Sequence, residues 1–404
     1  MKSVLKFNTL SRGIKGYRGL SGNDCKDFIV LGVETSCDDT GVGVVTSSGA
    51  ILADSRHSQL AWHQKTGGVN PKVAGKLHRE YLGSVMETAL RDAGIKMKDV
   101  YAVAATVGPG LALSLEAGMD FTKKLVAKEN KPFIPVHHME AHALTACITH
   151  PVSFPFLVLL ASGGHCILTV CEGPGKFLRL GECRDDAPGE AFDKIARALR
   201  LHTHPLVSDL SGGRAIEVLA KFGNPEKFPF PRAMSQRLDC MFSFSGIKTH
   251  TMRVITSQEA NDPTGPHSPV LQCEDISAAS LAAISRHLVT RTQRAILYCI
   301  EKWPTLNHLV VSGGVASNLY LRKKLEELAS YYGYHFSCPE PSLCTDNGVM
   351  IAWAGIEHIK AGLPLMKDLS TLKFIPKWRL GKDISNVVAD ERIKVKVAAG
   401  QGCF

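Results

Sequence analysis

A chain of 404 residues, 45% hydrophobic and 21% charged, has room for two domains with sizeable cores and the composition of an ordinary globular protein. No apolar run reaches the roughly 18 residues that a membrane helix needs, because the best stretch, 101–115, is broken by Gly108-Pro109-Gly110. The twelve cysteines include no C-x-x-C pair and no regular ladder, which argues for free thiols over a disulfide framework; the net charge is +9, and the mildly basic balance left without the first 24 residues is compatible with an RNA partner.

Residues 1–24 read as a mitochondrial transit peptide. They carry Lys2, Lys6, Arg12, Lys15 and Arg18 among Ser3, Ser11 and Ser21, with no acid before Asp24. Without them the net charge is about +5. The expected compartment is the mitochondrial matrix.

A first lobe is expected over 28–136. The run F-I-V-L-G-V at 28–33 reads as a strand buried on both faces. Polar turns separate it from strands at 42–45 and from residue 51. A helix over 73–93, a strand at 103–106, a helix from Ser114 and a strand at 133–136 follow. A second lobe, 137–346, repeats the order. Its strands fall at 156–160, 166–170 and 177–180, its helices at 190–199 and 276–300. A strand at 309–311, a helix from Asn318 and a strand near Phe336 complete it. The polar, proline-containing segment 256–275 reads as a surface insertion. A helix at 348–360 opens a final segment, 347–404. Two copies of three strands followed by alternating helices and strands imply a duplicated α/β architecture with mixed sheets. Such sheets bind ligands at the carboxyl ends of their strands, here in the cleft between the lobes.

Glycine turns close several of these strands: Gly108-Pro109-Gly110, Ser162-Gly163-Gly164 and Ser312-Gly313-Gly314, with Gly212-Gly213 elsewhere. Glycine lets a backbone approach a phosphate, and the exposed N–H groups can cradle it. The turns point to a nucleotide-like ligand, although neither the Walker lysine motif nor G-x-G-x-x-G is present. Acids occupy neighbouring turns at Asp38, Asp39, Asp185 and Asp186, and Asp193 sits on a helix. Asp346, in C-T-D-N-G at a helix start, can either cap the helix or ligate a metal.

The run V-H-H-M-E-A-H, 136–142, invites a metalloprotease reading. His138 and His142 stand four apart on one helical face, about 5–6 Å between Cβ atoms, so one divalent ion can bridge them. Glu140 lies two positions from each and points the other way. In H-E-x-x-H the glutamate directly follows the first histidine, so that it can activate the metal-bound water. The protease reading is therefore poor on geometry. A metal site and a satisfied histidine pair remain open, with His137 a neighbour only.

Together these segments resemble the TsaD family of tRNA N6-adenosine threonylcarbamoyltransferases. The pieces that carry the resemblance are G-V-E-T-S-C-D-D-T (32–40), G-P-G-L (108–111), H-H-M-E-A-H (137–142), S-G-G-H (162–165), D-D-A-P-G-E-A-F-D-K (185–194), F-S-F-S-G-I-K-T (242–249), S-G-G-V-A-S-N (312–318) and C-T-D-N-G-V-M-I-A (344–352). The resemblance implies a duplicated actin/Hsp70-like fold of the ASKHA, RNase H-like class. It implies one divalent ion, iron or zinc, on His138, His142 and Asp346. Threonylcarbamoyl-adenylate contacts would fall on Leu160, Ala161, Ser162, Gly163, Gly164, Asp193, Gly213 and Asn318. It implies transfer of threonylcarbamoyl from threonylcarbamoyl-AMP, supplied by a YrdC-type synthase, to N6 of adenosine 37 in tRNAs reading codons that begin with A. A homodimer is a further expectation, and no membrane association is. With the basic leader, the chain resembles a mitochondrial member. Two departures stand out: Lys72 replaces an acid of the family pattern, and the stretch before Gly213 is longer. Rival readings are a metallopeptidase and an actin-like-fold ATPase or kinase, since a fold does not fix a function. Lys76, Arg79, Arg214 and Lys248 are candidate cations for tRNA near the cleft.

Overall fold

The computed structural model describes residues 27–65, 68–260 and 268–395. The expected leader, 1–24, lies outside the described residues. A first sheet is built from β1 (Ile29–Glu34), β2 (Asp39–Thr46), β3 (Ile51–Ser58), β4 (Ala102–Gly108) and β5 (Phe133–His137), in the order β3-β2-β1-β4-β5. Helices α1 (Pro71–Asp92) and α2 (Ala112–Glu129) cover one face. The first three strands are antiparallel neighbours, whereas β4 and β5 run parallel to β1, as crossover helices require.

Helix α3 (His138–Thr145) leaves β5 without a loop, and the second copy begins. Strands β6 (Phe156–Ala161), β7 (Cys166–Gly173) and β8 (Lys176–Glu182) are followed by helices α4 (Pro188–Ala198), α5 (Gly212–Ala220), α6 (Ser245–Glu259) and α7 (Cys273–Lys302). Then come β9 (His308–Ser312), α8 (Leu319–Tyr331), β10 (His335–Ser337), α9 (Gly348–Lys360) and the short edge strand β11 (Lys382–Asp383). The second sheet runs β10-β9-β6-β7-β8-β11, so apart from β11 it repeats the first sheet's order and directions. The expected insertion is shorter than 256–275: residues up to Glu259 extend α6 and those from Cys273 begin α7, while 261–267 lie outside the described residues.

The two lobes share a middle layer. Helices α3 and α9 lie between the sheets, where Met139, Leu144, Met350 and Trp353 pack against Ile134 and Val136 on one side and Phe156 and Val158 on the other. Helix α9 rests directly on β1, β2 and β4, and the chain beyond it returns over both lobes. Met366 bridges to Phe133 of the first sheet, and β11 pairs with β8 of the second.

The approach of α9 to the first sheet needs glycine. A Cβ on Gly43 would stand 2.3 Å from the Val349 nitrogen, one on Gly32 2.2 Å from the Gly348 carbonyl oxygen, and one on Gly348 2.0 Å from the Gly43 nitrogen. All of these neighbours are backbone, so nothing can rotate aside. Gly43→Ala is expected to destabilise the protein by about 3 kcal/mol or more, the upper end for overpacking, because the sheet and helix must separate. Gly83→Ala, in α1 with open space around it, is expected to be neutral or stabilising by up to about 1 kcal/mol. Denaturant unfolding of the two variants checks the contrast.

Candidate metal centre

The site forms where the carboxyl ends of the strands of both sheets meet. Strand β5 runs straight into α3, and His137 at the junction serves as the N-cap: its Nδ1 accepts from the Met139 amide at 3.1 Å. Its Nε2 faces the Trp378 carbonyl at 3.1 Å and its ring packs on Trp378. His137 is thus a structural neighbour. The next turn of helix carries His138 and His142, both buried, with ring centroids 4.7 Å apart and planes near perpendicular.

The carboxylate arrives from the far end of the sequence. Asn347 caps α9, its Oδ1 accepting from the Met350 amide at 2.8 Å. That assignment resolves the two roles open to Asp346: the cap is its neighbour's, and Asp346 turns to the histidines. Its Oδ1 lies 3.1 Å from His142 Nε2 and 3.6 Å from His138 Nε2. The loop that presents it is tied to the first lobe by Arg56 of β3, which donates to the Thr345 hydroxyl at 2.9 Å and the Ser342 carbonyl at 2.7 Å. One donor atom from each of His138, His142 and Asp346 falls within 4.8 Å of the others, close enough for one ion to touch all three. Two imidazoles and a carboxylate suit zinc or iron, and the quarter-exposed Asp346 side chain opens the group on one side to a ligand.

Beneath His138 lies a residue that the sequence reading passed over. Glu34, at the end of β1, is 0% exposed. Its Oε2 receives the Thr106 hydroxyl at 2.5 Å and stands 3.2 Å from His138 Nδ1, while its Oε1 accepts the Ser36 amide at 2.5 Å. The Ser36 hydroxyl lies 3.1 Å from the same Nδ1. A carboxylate on Nδ1 fixes the ring and leaves Nε2 for the shared centre. The available signal was an acid closing the apolar run I-V-L-G-V: a charge at the end of a strand buried on both faces needs a partner. His142 has no equivalent support, since its buried Nδ1 finds no hydrogen-bond partner among the described residues.

The charges bear on each other. Burial alone would lower His138, but the Asp346 and Glu34 carboxylates overcome it and lift it to about 9. Burial alone would raise Asp346, yet His138 and His142 hold it well below the usual carboxylate range. Glu34 follows the same pattern: burial opposes its charge, and His138 keeps it low. His165, in the S-G-G-H turn, is pushed down to about 4 by burial and by His138 and His142. Asp39 rises to about 6, chiefly through burial.

The expected adenylate contacts spread along the second lobe. Leu160 and Ala161 are fully buried in β6, so only their backbone can reach a ligand. Ser162, Gly163 and Gly164 form the turn to β7, with both glycines exposed. That turn is crowded from behind: a Cβ on Gly189 would meet Gly163 Cα at 2.7 Å, and one on Gly313 would meet the Ala161 oxygen at 2.5 Å. The Gly212-Gly213 backbone passes close to the Asp193 carboxylate, since a Cβ on Gly212 would lie 2.6 Å from its Oδ1. Asn318 is buried and caps α8 through the Leu321 amide at 3.0 Å. A cavity of about 380 Å³ opens nearby between the 225–230 loop, α7 and α8, with Tyr320 and Lys324 in its wall; it includes none of the histidine group. Three of the four candidate cations are paired, Arg79 with Glu116 (2.7 Å), Arg214 with Glu217 (2.6 Å) and Lys248 with Asp186. Lys76 is exposed.

Glu140 is buried on the opposite side of α3, where its Oε1 accepts from the Gly175 amide at 2.6 Å and faces His358 Nε2 at 3.0 Å. It braces the middle layer and stands away from the histidine face, so no protease base adjoins the group.

The repeated sheets, the interlobe layer and the cleft at the strand ends define a duplicated actin-like α/β fold. The crystal structure of T. kodakarensis HypF has the same fold, with a TM-score of 0.53 at 13% identity over 83% of this chain and 48% of that one. Full-length HypF in its phosphate- and nucleotide-bound form gives 0.50 at 15% identity over 82% and 56%. The TsaD family, described as tRNA N6-adenosine threonylcarbamoyltransferase, matches residues 50–353. The mitochondrial tRNA N6-adenosine threonylcarbamoyltransferase of Rattus norvegicus is 49% identical over 370 residues, covering 91% of this chain and 89% of its own. The Homo sapiens mitochondrial protein is 47% identical over the same shares. The tRNA N6-adenosine threonylcarbamoyltransferase of Paramagnetospirillum magneticum is 40% identical over 87% of this chain and 97% of its own. The chain belongs to the TsaD family of tRNA-modifying transferases, alongside relatives named as mitochondrial. No helix among the described residues is long and apolar enough to cross a membrane.

Two outcomes follow for the metal centre. Because His138 is lifted to about 9, an ion arriving at its Nε2 must displace a proton. Apparent zinc affinity is therefore expected to rise about tenfold per pH unit up to about pH 9, with one proton released per ion, measurable by competition with a chelator in weakly buffered solution. Glu34→Gln keeps the shape of the support but removes its charge. It is expected to weaken zinc binding about 10- to 100-fold, the range for a carboxylate behind a ligating histidine, with titration calorimetry as the check.

Proposed function

We propose that this protein transfers the threonylcarbamoyl group of threonylcarbamoyl-AMP to N6 of adenosine 37 in mitochondrial tRNAs that read codons beginning with A. In this reading His138, His142 and Asp346 hold one divalent ion, iron or zinc, in the matrix enzyme. The observation that carries it is the meeting of two imidazoles from α3 with a carboxylate from the start of α9. When bound, the ion supplies Lewis acidity and orients the mixed anhydride.

The chain's own residues do the rest. The exposed backbone of Gly163 and Gly164 is shaped for the phosphate, with Leu160 and Ala161 reaching it only through their peptide groups. Asp193, Gly213 and Asn318 border the nucleoside. The N6 amine attacks the carbamoyl carbon, the bond to the phosphate oxygen breaks, AMP leaves, and the amine proton passes to solvent. No nucleophilic serine or cysteine is needed. The substrate is a labile acyl-adenylate, so a separate YrdC-type synthase must make it, and two copies of this chain would form the working dimer.

Labelled threonine, bicarbonate, ATP and tRNA, with and without such a synthase, test the assignment. Label is expected in tRNA only when both proteins are present; incorporation by this protein alone overturns the division of labour. His142→Ala and Asp346→Ala should each lower metal content and transfer by about two orders of magnitude, since one lost ligand weakens the whole site. Glu140→Gln should retain metal and lower only thermal stability. Full transfer by His142→Ala would refute the metal assignment.

A further inference from the structure

Among the described residues a second trio of metal-capable donors stands apart from the histidine centre. His204, Cys273 and Glu274 each offer one ligand atom, and the three atoms lie within 4.8 Å of one another. His204 sits in the connection 199–211 that joins α4 to α5, the longer stretch before Gly213. Cys273 and Glu274 open α7. Cys273 is buried, the His204 side chain is largely covered and that of Glu274 is partly exposed, so water reaches the group from the Glu274 side.

The spacing suits zinc. Ligand bonds of about 2.0–2.3 Å at tetrahedral angles put donor atoms about 3.3–3.6 Å apart, and His204 Nε2 stands 3.7 Å from Glu274 Oε1. A thiolate with an imidazole favours zinc over magnesium or calcium, and the thiolate and carboxylate together balance the charge of a divalent ion. The first-turn amides of α7 favour both anionic ligands. Neighbouring charges are engaged elsewhere: Asp275 accepts from Lys227 and from the Asn224 amide, both at 2.8 Å, and Arg200 pairs with Glu259 at 2.7 Å. Without an ion, burial and then the Glu274 carboxylate push the Cys273 thiol up to about 12. His204 Nδ1 accepts from the Leu206 amide at 3.2 Å, which leaves a neutral ring's proton on Nε2. Coordination sends the thiol proton to solvent and moves the ring proton to Nδ1, while the amide of the exposed Leu206 turns to water.

We propose that His204, Cys273 and Glu274 bind one zinc ion, with water as the fourth ligand, and that this ion clips the 199–211 connection to the start of α7. The S–H bond breaks and an S–Zn bond forms, with no change of oxidation state. The connection is already fastened at its near end, where the Val270 amide donates to the Leu199 carbonyl at 3.2 Å and Arg200 Nε donates to the Ser268 carbonyl at 2.6 Å. His204 lies beyond those ties, just before the exposed Leu206 and Leu210. The turn after α5 rests on the same helix start, since a Cβ on Gly223 would stand 2.1 Å from the Glu274 carbonyl oxygen. The ion thus holds α5, and with it Gly213, from the leading end, as the Gly223 contact holds it from the trailing end.

The test titrates the full chain with cobalt(II), a spectroscopic stand-in for zinc. His138, His142 and Asp346 include no thiolate, so thiolate-to-cobalt charge-transfer absorption in the near ultraviolet reports a site of the other kind. The band is expected to saturate with one cobalt in the wild type, to vanish on adding zinc, to persist in His142→Ala and to be lost in Cys273→Ser. His204→Gln, a change in a surface connection, should weaken the binding at least about tenfold and serves if Cys273→Ser folds poorly. Amide hydrogen exchange across 200–211 should slow at least about tenfold with zinc in the wild type and in neither of these two variants. A band that never forms, or that survives in Cys273→Ser, overturns the site, as does unchanged affinity in His204→Gln. Zinc binding that leaves exchange across 200–211 unchanged overturns the clip. Neither measurement reads transfer to tRNA, so the site stands or falls apart from the substrate assignment.

Discussion

The close approach of helix α9 to the first sheet is the constraint on which the site depends. Gly32 and Gly43 on the strands face Gly348 on the helix, and backbone meets backbone at distances that exclude any side chain. That contact sets where the residue before the cap must lie. With Asn347 holding the first turn of α9 through the Met350 amide, Asp346 is left at the mouth of the interlobe layer, facing α3. Had α9 stood off by the width of a methyl group, the carboxylate could not share its Oδ1 between the two imidazoles of α3. A packing requirement in the core is thereby also a requirement of the chemistry.

Electrostatics complete what packing begins. A fully buried carboxylate such as Glu34 is unfavourable unless charge and hydrogen bonds compensate it, and here Thr106, Ser36 and His138 all do. His138 in turn sits between Glu34 and Asp346, so its protonated form satisfies both when no cation is present. The group holds a proton well, and the proposed metal would take that proton's place. His142 is held by packing and by Asp346 alone, so the two histidines have unequal roles: one is oriented from behind, the other by what it binds. In the second lobe the glycine turns are crowded from beneath by Gly189 and Gly313, which leaves Gly163 and Gly164 exposed on a close-packed base, an arrangement that suits the proposed phosphate contact.

Much of this was legible in the sequence, and the legible parts share a cause. The doubled strand order, the helix from Gly348 and the common face of His138 and His142 all follow from short-range periodicities, 2 for strands and 3.6 for helices. Glu140's direction away from the histidine face was readable for the same reason, although its partners, Gly175 and His358, were not. Glu34 was in view but unread, because an acid ending an apolar run announces that it needs a partner without saying which one. Lys248 and Arg214 read as candidate cations for tRNA, and the acids that engage them lie 62 residues away for Asp186 and on the adjacent helical turn for Glu217. The extent of the 256–275 insertion was overestimated because polar helix ends look like loop.

What the sequence determined by itself, then, is the set of elements, their order, and the residue types capable of metal and phosphate chemistry, all encoded in spacing along the chain. What only the tertiary structure decided is which of them meet: that Asn347 rather than Asp346 caps α9, that Glu34 stands behind His138, and that α9 packs on β1 and β2, far back along the chain. These outcomes depend on the closest distance at which two backbones can pack and on the charges that burial forces together, and neither quantity has a period in the sequence.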